Sequence, residues 1–407
     1  MTVSPLAPGS FPLLADIKGV TLATAASGMK YQGRDDMLLM RFDAGAVLAA
    51  VFTRSDTAAA PVGWCRQRLA DGRATRAILV NAGNANAFTG TAGMAAVATC
   101  CDGVAAALGC EPDAVMMAST GVIGEPLDAS LLTSHLPAMA NGDASWHTAA
   151  EAIRTTDTFA KGAGASASIG GQTVQISGIA KGSGMIAPDM ATMLGFIATD
   201  ADLPQPVLAA LLADAAQRSF NAITVDSDTS TNDSVFLVAT GAARNPQPAS
   251  ADDPDLAGFR TALDTVMQDL ATQIVRDGEG ATKFITIDVS GAADDACAHR
   301  IGMAVANSPL VKTAIAGEDA NWGRIVMAVG KAGSAIDQSQ LEISIGGILI
   351  AAGGTRVEDY DEAPVAAHMK GADVAISIRV GPGGGSARIW TCDLTHGYIS
   401  INADYRS

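Results

Sequence analysis

Residues 172–199 read QTVQISGIAKGSGMIAPDMATMLGFIAT, and the two ends of this stretch decide the fold class. At 172–179, Val174 and Ile176 alternate with Gln175 and Ser177, the two-residue period of a strand. At 193–199 the apolar run MLGFIAT predicts a second strand. Between them, residues 180–191 spend Gly, Ala, Ser and Pro where a core would want bulk, so a turn-rich segment joins the two. A Gly-rich approach and Pro188 therefore lead to Thr192, which opens an apolar strand.

Outward from this centre, nine polar residues from Asp226 to Ser234 precede the apolar run VFLVAT, and 205–219 predicts a helix. The clearest helix is 254–275: Asp253 suits its cap and Pro254 its first turn, while Leu256, Phe259, Leu263, Met267, Leu270 and Ile274 keep helical spacing. Alternation marks strands at 284–289, 341–345 and 374–380, and GPGGGS at 381–386 predicts a hairpin loop into a strand at 387–392. That Gly cluster lacks the following Lys-Ser/Thr and helix of a phosphate-binding loop. Upstream, 36–53 predicts a strand pair around the turn Asp43-Ala44-Gly45, and 76–81 a buried strand. A helix follows over 91–108, a strand over 114–118 and a helix near 128–140. Strands and helices interleave without a strict βαβ rhythm, which predicts an α+β fold of mixed α/β layers. The Pro- and Asp-rich stretch 242–255 suits a surface loop better than a domain boundary, because regular structure resumes on both sides.

Composition narrows the function. The 407-residue chain carries a net charge of -16 and no basic patch, which argues against nucleic-acid partners. No signal-like N-terminus or long uninterrupted apolar run is evident, so a soluble, cytoplasmic protein without a membrane partner is expected. The six cysteines form no CxxC pair, and the five histidines have no ligand spacing; buried thiols and no metal are expected.

Three short stretches place small and polar residues where chemistry can use them. Ser119-Thr120-Gly121 ends a strand, where a hydroxyl beside a free backbone N–H can serve an oxyanion; an ordinary turn has the same look. The second is the run from Lys181 to Leu194 around Thr192, and the third the polar loop 226–234, which a merely solvated loop would match equally well.

Taken together, these stretches resemble the ornithine acetyltransferase (glutamate N-acetyltransferase) family of arginine biosynthesis, of the bifunctional type. The matching segments run almost end to end: Val51–Arg54, Asn81–Ala87, Ser119–Gly121, Thr155–Asp157, KGSGMIAPDMATMLGF from Lys181, Asp228–Asp233, Glu279–Lys283, Ser308–Ala314, Asn321–Arg324 and Asn402–Ser407. Ten such segments in one order are a specific signature. The resemblance implies an N-terminal-nucleophile-like αββα sandwich that cuts itself between Ala191 and Thr192. It would leave an N-terminal fragment 1–191 and a C-terminal fragment 192–407, interleaved in one catalytic unit and paired into a heterotetramer of two of each. Thr192 would then be the nucleophile, with its own α-amino group as base, since that amine titrates near ~7.7–8 in peptides. Thr120 and Gly121 match the family's oxyanion hole, and Thr155, Lys181, Thr192, Glu279, Asn402 and Ser407 its substrate contacts. Ser407 stands where many members have Thr. The implied reaction moves an acetyl group from N2-acetylornithine to glutamate through an acetyl-enzyme, without a cofactor, and some members also accept acetyl-CoA as donor. Arg54, Asn84, Asn86, Asn321 and Arg324 lie in matching motifs without an assigned role. A self-processed aminopeptidase of similar fold, or a non-catalytic protein that keeps the fold, are the other readings.

Overall fold

The turn at Asp43–Gly45 does not close a hairpin; it hands the chain from one sheet to another. A computed structural model describes residues 2–72, 74–187, 193–334, 336–358 and 360–403. The first strands are β1 (Val20–Ala25), β2 (Met37–Phe42), β3 (Val47–Phe52), β4 (Ala77–Asn84) and β5 (Val115–Val122). Next come β6 (Lys161–Ile169), β7 (Gln172–Lys181), β8 (Leu194–Thr199) and β9 (Ser234–Ala239). The last group is β10 (Phe284–Ala292), β11 (Glu342–Ile345), β12 (Ile348–Ala352), β13 (Thr355–Arg356), β14 (Asp373–Arg379) and β15 (Gly385–Cys392). They form three sheets, ordered β1-β2-β4-β5, β3-β9-β8-β7-β6 and β13-β12-β11-β14-β10-β15. Both strands expected in 36–53 are present, yet β2 pairs with β1 and β4 while β3 pairs with β9. Buried apolar side chains on both faces make β2 an interior strand of the first sheet, whereas β3 is a partly buried edge strand of the second.

Alternation along β8 and β9 places the layers. Phe196, Ala198, Phe236 and Val238 join the core shared with the first sheet, and the Phe196 and Phe236 rings stack at 5.6 Å. Their neighbours Ile197, Val235 and Leu237 face the opposite way, toward the helices Gln205–Gln217 and Ala257–Arg276. Helices Ala60–Ala70 and Gly90–Leu108 pack on the first sheet, so two stacked sheets lie between helices. The third sheet, with helices Asp295–Ala306, Pro309–Ala316 and Trp322–Gly330, continues the core beyond the helix Ala257–Arg276. The second sheet takes β3, β6 and β7 from before residue 191 and β8 and β9 from after it.

Two further expectations change. GPGGGS does not make a hairpin, because β10 lies between β14 and β15, parallel to one and antiparallel to the other. The Gly-rich loop crosses the end of β10 instead; a Cβ on Gly291 would collide with the Gly381 carbonyl, and one on Gly383 with that of Ala292. The helix expected near 128–140 is two short ones, Ala129–Thr133 and Leu136–Met139, with Pro137 in the first turn of the second rather than inside a longer helix. The helix Gly90–Leu108 is long and apolar enough by composition to cross a bilayer. In this fold it buries Val97, Cys100, Cys101 and Val104 against the core of the first sheet. All six cysteines are free, and all but Cys110 are buried.

Candidate active site

The parallel strands β4 and β5 run side by side to Gly83 and Gly121, where their register shifts. Gly121 has φ +137, and a Cβ there would overlap the Gly83 carbonyl carbon, so only glycine lets the two backbones meet. A buried set of uncharged groups pins these strand ends. Ser119 Oγ donates to Asn81 Oδ1 (2.6 Å), and Asn81 Nδ2 donates to the Asn84 carbonyl (2.9 Å). Asn232 Nδ2 donates to the carbonyls of Ala85 (2.6 Å) and Ser119 (2.9 Å). Asn84 Oδ1 accepts the Asn86 N–H, and Asn86 Nδ2 donates to the Gly93 carbonyl. Asn84 and Asn86 therefore shape the loop that follows β4. Asn321 likewise caps its own helix at the Arg324 N–H, and Arg324 donates to the Leu310 carbonyl.

Charge enters from the facing side. Lys161 is fully buried between Asp157 (2.7 Å) and Asp277 (2.5 Å). Asp157 also accepts the N–H groups of Gly182 (2.6 Å) and Thr155 (3.0 Å), which fixes the segments carrying Thr155 and Lys181. Burial alone would raise the Asp157 carboxyl, but the Lys161 and Lys181 charges and the Gly182 N–H outweigh it and hold the group below the usual range. Lys181, at the end of β7, donates from Nζ to Thr120 Oγ1 (3.2 Å). Its own pKa is pushed down by burial, opposed by Asp157, Glu279 and Asp233. Glu279 Oε2 accepts Asn402 Nδ2 at 2.7 Å, from the helix His396–Ala403. Burial raises the Glu279 pKa, while Asn402 and Thr156 oppose that rise. The close approach needs Gly184, where any Cβ would strike the Glu279 carboxyl, and Gly280, which leaves room for the backbone at Gly397–Tyr398.

These groups border a cavity of about 250 Å³. Thr120, Gly121, Thr155, Lys181, Glu279 and Asn402 all line it, together with Val122, Ile123, Thr156, Met185 and Ser230. Ala191, Thr192 and Ser407 lie outside the described residues. The residue after Thr192, Met193, is buried, and its N–H donates to Asp233 Oδ1 at 2.8 Å. Among the described residues, no cluster of three or more metal-binding side chains occurs. Sequence reasoning missed the Asp157–Lys161–Asp277 cluster, Asn232 and Asp233 as individual residues. Only the polar run 226–234 signalled the last two.

A layered fold with such a pocket, combining a hydroxyl, a strand-end glycine and a buried lysine opposite a carboxyl, suits acyl transfer. The chain belongs to the ArgJ family, whose model matches residues 21–407, and it is an acyltransferase of arginine biosynthesis. It is 55% identical to the arginine biosynthesis bifunctional protein ArgJ of Gluconobacter oxydans, over 100% of this chain and 96% of that one. The ArgJ protein of Agrobacterium fabrum is 52% identical over the full length of both. The crystal structure of the Bacillus halodurans protein is 44% identical with a TM-score of 0.50, covering 52% of this chain and 99% of that one. An ornithine acetyltransferase from Mycobacterium tuberculosis, complexed with ornithine, is 33% identical at a TM-score of 0.37, over 42% of this chain and 92% of that one.

Proposed function

We propose that the chain cuts itself between Ala191 and Thr192 and then moves an acetyl group from N2-acetylornithine to glutamate on the Thr192 hydroxyl. The carrying observation is the shared pocket: Thr120, Gly121, Thr155 and Lys181 come from before that bond, Glu279 and Asn402 from after it. Fragments 1–191 and 192–407 stay interleaved, since the second sheet draws strands from both. That the Bacillus halodurans polypeptide matches about half of this chain over nearly its whole length supports the division.

In this mechanism the Thr192 α-amino group takes the hydroxyl proton as the oxygen attacks the acetyl carbonyl. Thr120 Oγ and the Gly121 N–H hold the oxyanion, and Lys181 beside Thr120 adds positive charge to that side. Ornithine leaves with the proton, and the glutamate amine attacks the acetyl-enzyme. Lys181 and Glu279 suit the carboxylate and ammonium ends of amino-acid substrates, with Thr155, Asn402 and Ser407 completing the contacts. Acetyl-CoA serves as a second donor, and no cofactor is needed. The soluble enzyme works in the cytoplasm, where its free cysteines stay reduced, as a heterotetramer of two of each fragment.

Intact mass should show fragments 1–191 and 192–407, and N-terminal sequencing of the second should begin Thr-Met-Leu-Gly. Thr192→Ala should remain one chain. Labelled acetylornithine without glutamate should leave label on 192–407, and glutamate should discharge it. Label lost equally fast to water would favour a hydrolase, and an active uncut chain would remove Thr192 from its role.

A further inference from the structure

Three polar side chains that line the cavity have no part in the reaction proposed above: Thr156, Ser230 and Asn232. Their hydrogen bonds separate them. Both N–H groups of the Asn232 carboxamide are spent, on the Ala85 and Ser119 carbonyls, and its oxygen accepts the Thr231 hydroxyl at 2.5 Å. Thr156 shares a hydrogen bond of 2.7 Å with the Ser183 hydroxyl. Ser230 differs. Its carbonyl accepts the Thr53 hydroxyl at 2.7 Å, and its Oγ accepts the Asn232 backbone N–H at 3.1 Å, so both its main chain and its side-chain oxygen are fixed. The hydroxyl proton, however, meets no acceptor among the described residues, although Ser230 is only 2% exposed. A buried donor in that position gains most from an acceptor that arrives with a ligand.

The register of the second sheet says which end of a ligand Ser230 meets. Lys181 pairs with Leu194, Leu194 with Ser234 and Ser234 with Phe52, so these four form one row across the end of the sheet. Neighbouring strands lie about 4.8 Å apart, so the loop that carries Ser230 joins the sheet two strands, about 10 Å, from Lys181. Both residues border the cavity from that same end. We propose that Ser230 is a further substrate-binding residue, whose hydroxyl donates to the carboxylate of the bound amino acid beside the Lys181 ammonium. This rests on the reading above that Lys181 takes the carboxylate end of the substrate. A lysine acts on a carboxylate as a point charge and leaves lone pairs unmet, and a fixed hydroxyl adds a directed donor without adding charge.

Ser230→Ala removes the donor. With glutamate saturating, the KM for acetylornithine should rise about tenfold or more, the loss expected for a hydrogen bond to a charged group, while kcat changes less than about twofold. An unchanged KM overturns the contact. A second measurement separates it from a general loosening of the site. Ornithine and ornithinamide differ only at the carboxyl, and calorimetry gives the affinity of each without any reaction. The wild-type enzyme should prefer ornithine, and in Ser230→Ala that preference should shrink about tenfold. Equal losses for the two ligands also overturn the contact, because a merely structural role would weaken both alike. Ser230→Cys fills the side-chain space with a poorer donor and should show the same shrinkage if the alanine variant does not accumulate. If the wild-type enzyme neither turns over acetylornithine nor binds ornithine, the proposed reaction fails instead. If it does both and the preference survives in the variant, only the Ser230 contact fails.

Discussion

One wall of the pocket, formed by Ala85, the strand end Thr120–Gly121 and Asn232, is made of small, hydroxyl and carboxamide groups, with Asn81 and Asn84 bracing it from behind. The other sets Lys181 among Asp157, Lys161 and Glu279, with Asp277 behind. The uncharged wall is held by backbone contact and by hydrogen bonds that cost little to bury once they are satisfied. The charged wall holds its shape only while each ion keeps its partner, since a lone buried charge is far costlier than a lone amide. One wall is therefore suited to meet a charge that develops during reaction, and the other to hold charges that the substrate brings.

The largest expected effect strikes the charged wall. Asp157→Asn leaves Lys161 with one carboxylate and weakens the grip on Gly182 and Thr155. Losing one partner of a buried ion pair costs about 3–5 kcal/mol, so the denaturation midpoint should fall by that equivalent with an unchanged slope. The sign with pH follows from the lowered Asp157 pKa. Its contribution is fully present above the ordinary Asp value of about 3.9 and is lost as pH falls through the lower folded value. The variant should lack that acid limb. An unfolding midpoint like the wild type's would show that the cluster does not hold the wall.

Next in size is the uncharged wall. Thr120→Val keeps the shape and removes the hydroxyl that Lys181 touches. A lost oxyanion donor costs about 10²–10³ in kcat, with KM little changed and a smaller loss of stability than Asp157→Asn, since Lys181 keeps the Asp157 charge beside it. Near-normal kcat would leave the oxyanion to Gly121 and Lys181. If the two walls differ as described, Asp157→Asn should act on stability and Thr120→Val on turnover, and a swap of these readouts would break the comparison.

The uncharged wall was the more legible one in the sequence, because Ser119-Thr120-Gly121 and Asn81–Asn86 stand out as small polar runs at the ends of apolar strands. Lys161 and Asp277, 116 positions apart, meet only through folding. Nothing in a Lys-Gly-Ala-Gly run announces an ion pair. The same run hid β6, since KGAGASASI has no aromatic residue and a single β-branched one, Ile169, at its very end, and pairing with β7 supplies the stability instead. Alternation revealed β10, β11 and β14 but not their order, so GPGGGS looked like a hairpin where the loop crosses over β10. The turn at Asp43–Gly45 misled for the same reason: local turn chemistry does not say which sheet receives the next strand.

The smallest effect sharpens the comparison within the charged wall itself. Glu279 differs from Asp157 in making no close ion pair among the described residues: Lys181 acts on it only as a weaker, more distant charge, and its described side-chain bond is to the Asn402 amide. Burial accordingly raises its pKa where that of Asp157 is lowered. If ionised Glu279 receives a substrate ammonium, the KM for acetylornithine should climb as pH falls through this raised value, above the ordinary Glu figure of about 4.3. Glu279→Gln keeps an acceptor for Asn402 but no charge, so KM should rise about tenfold with kcat largely kept. The stability sign is opposite to that of Asp157. Folding disfavours the Glu279 carboxylate, so the wild type loses stability as pH rises from the ordinary value to the folded one. Glu279→Gln escapes that loss and should melt no lower than the wild type at neutral pH. A variant that keeps its KM and its pH profile would mean that Glu279 meets no charge in the substrate. A variant that melts well below the wild type would mean that this carboxyl, like Asp157, is held by a charged partner.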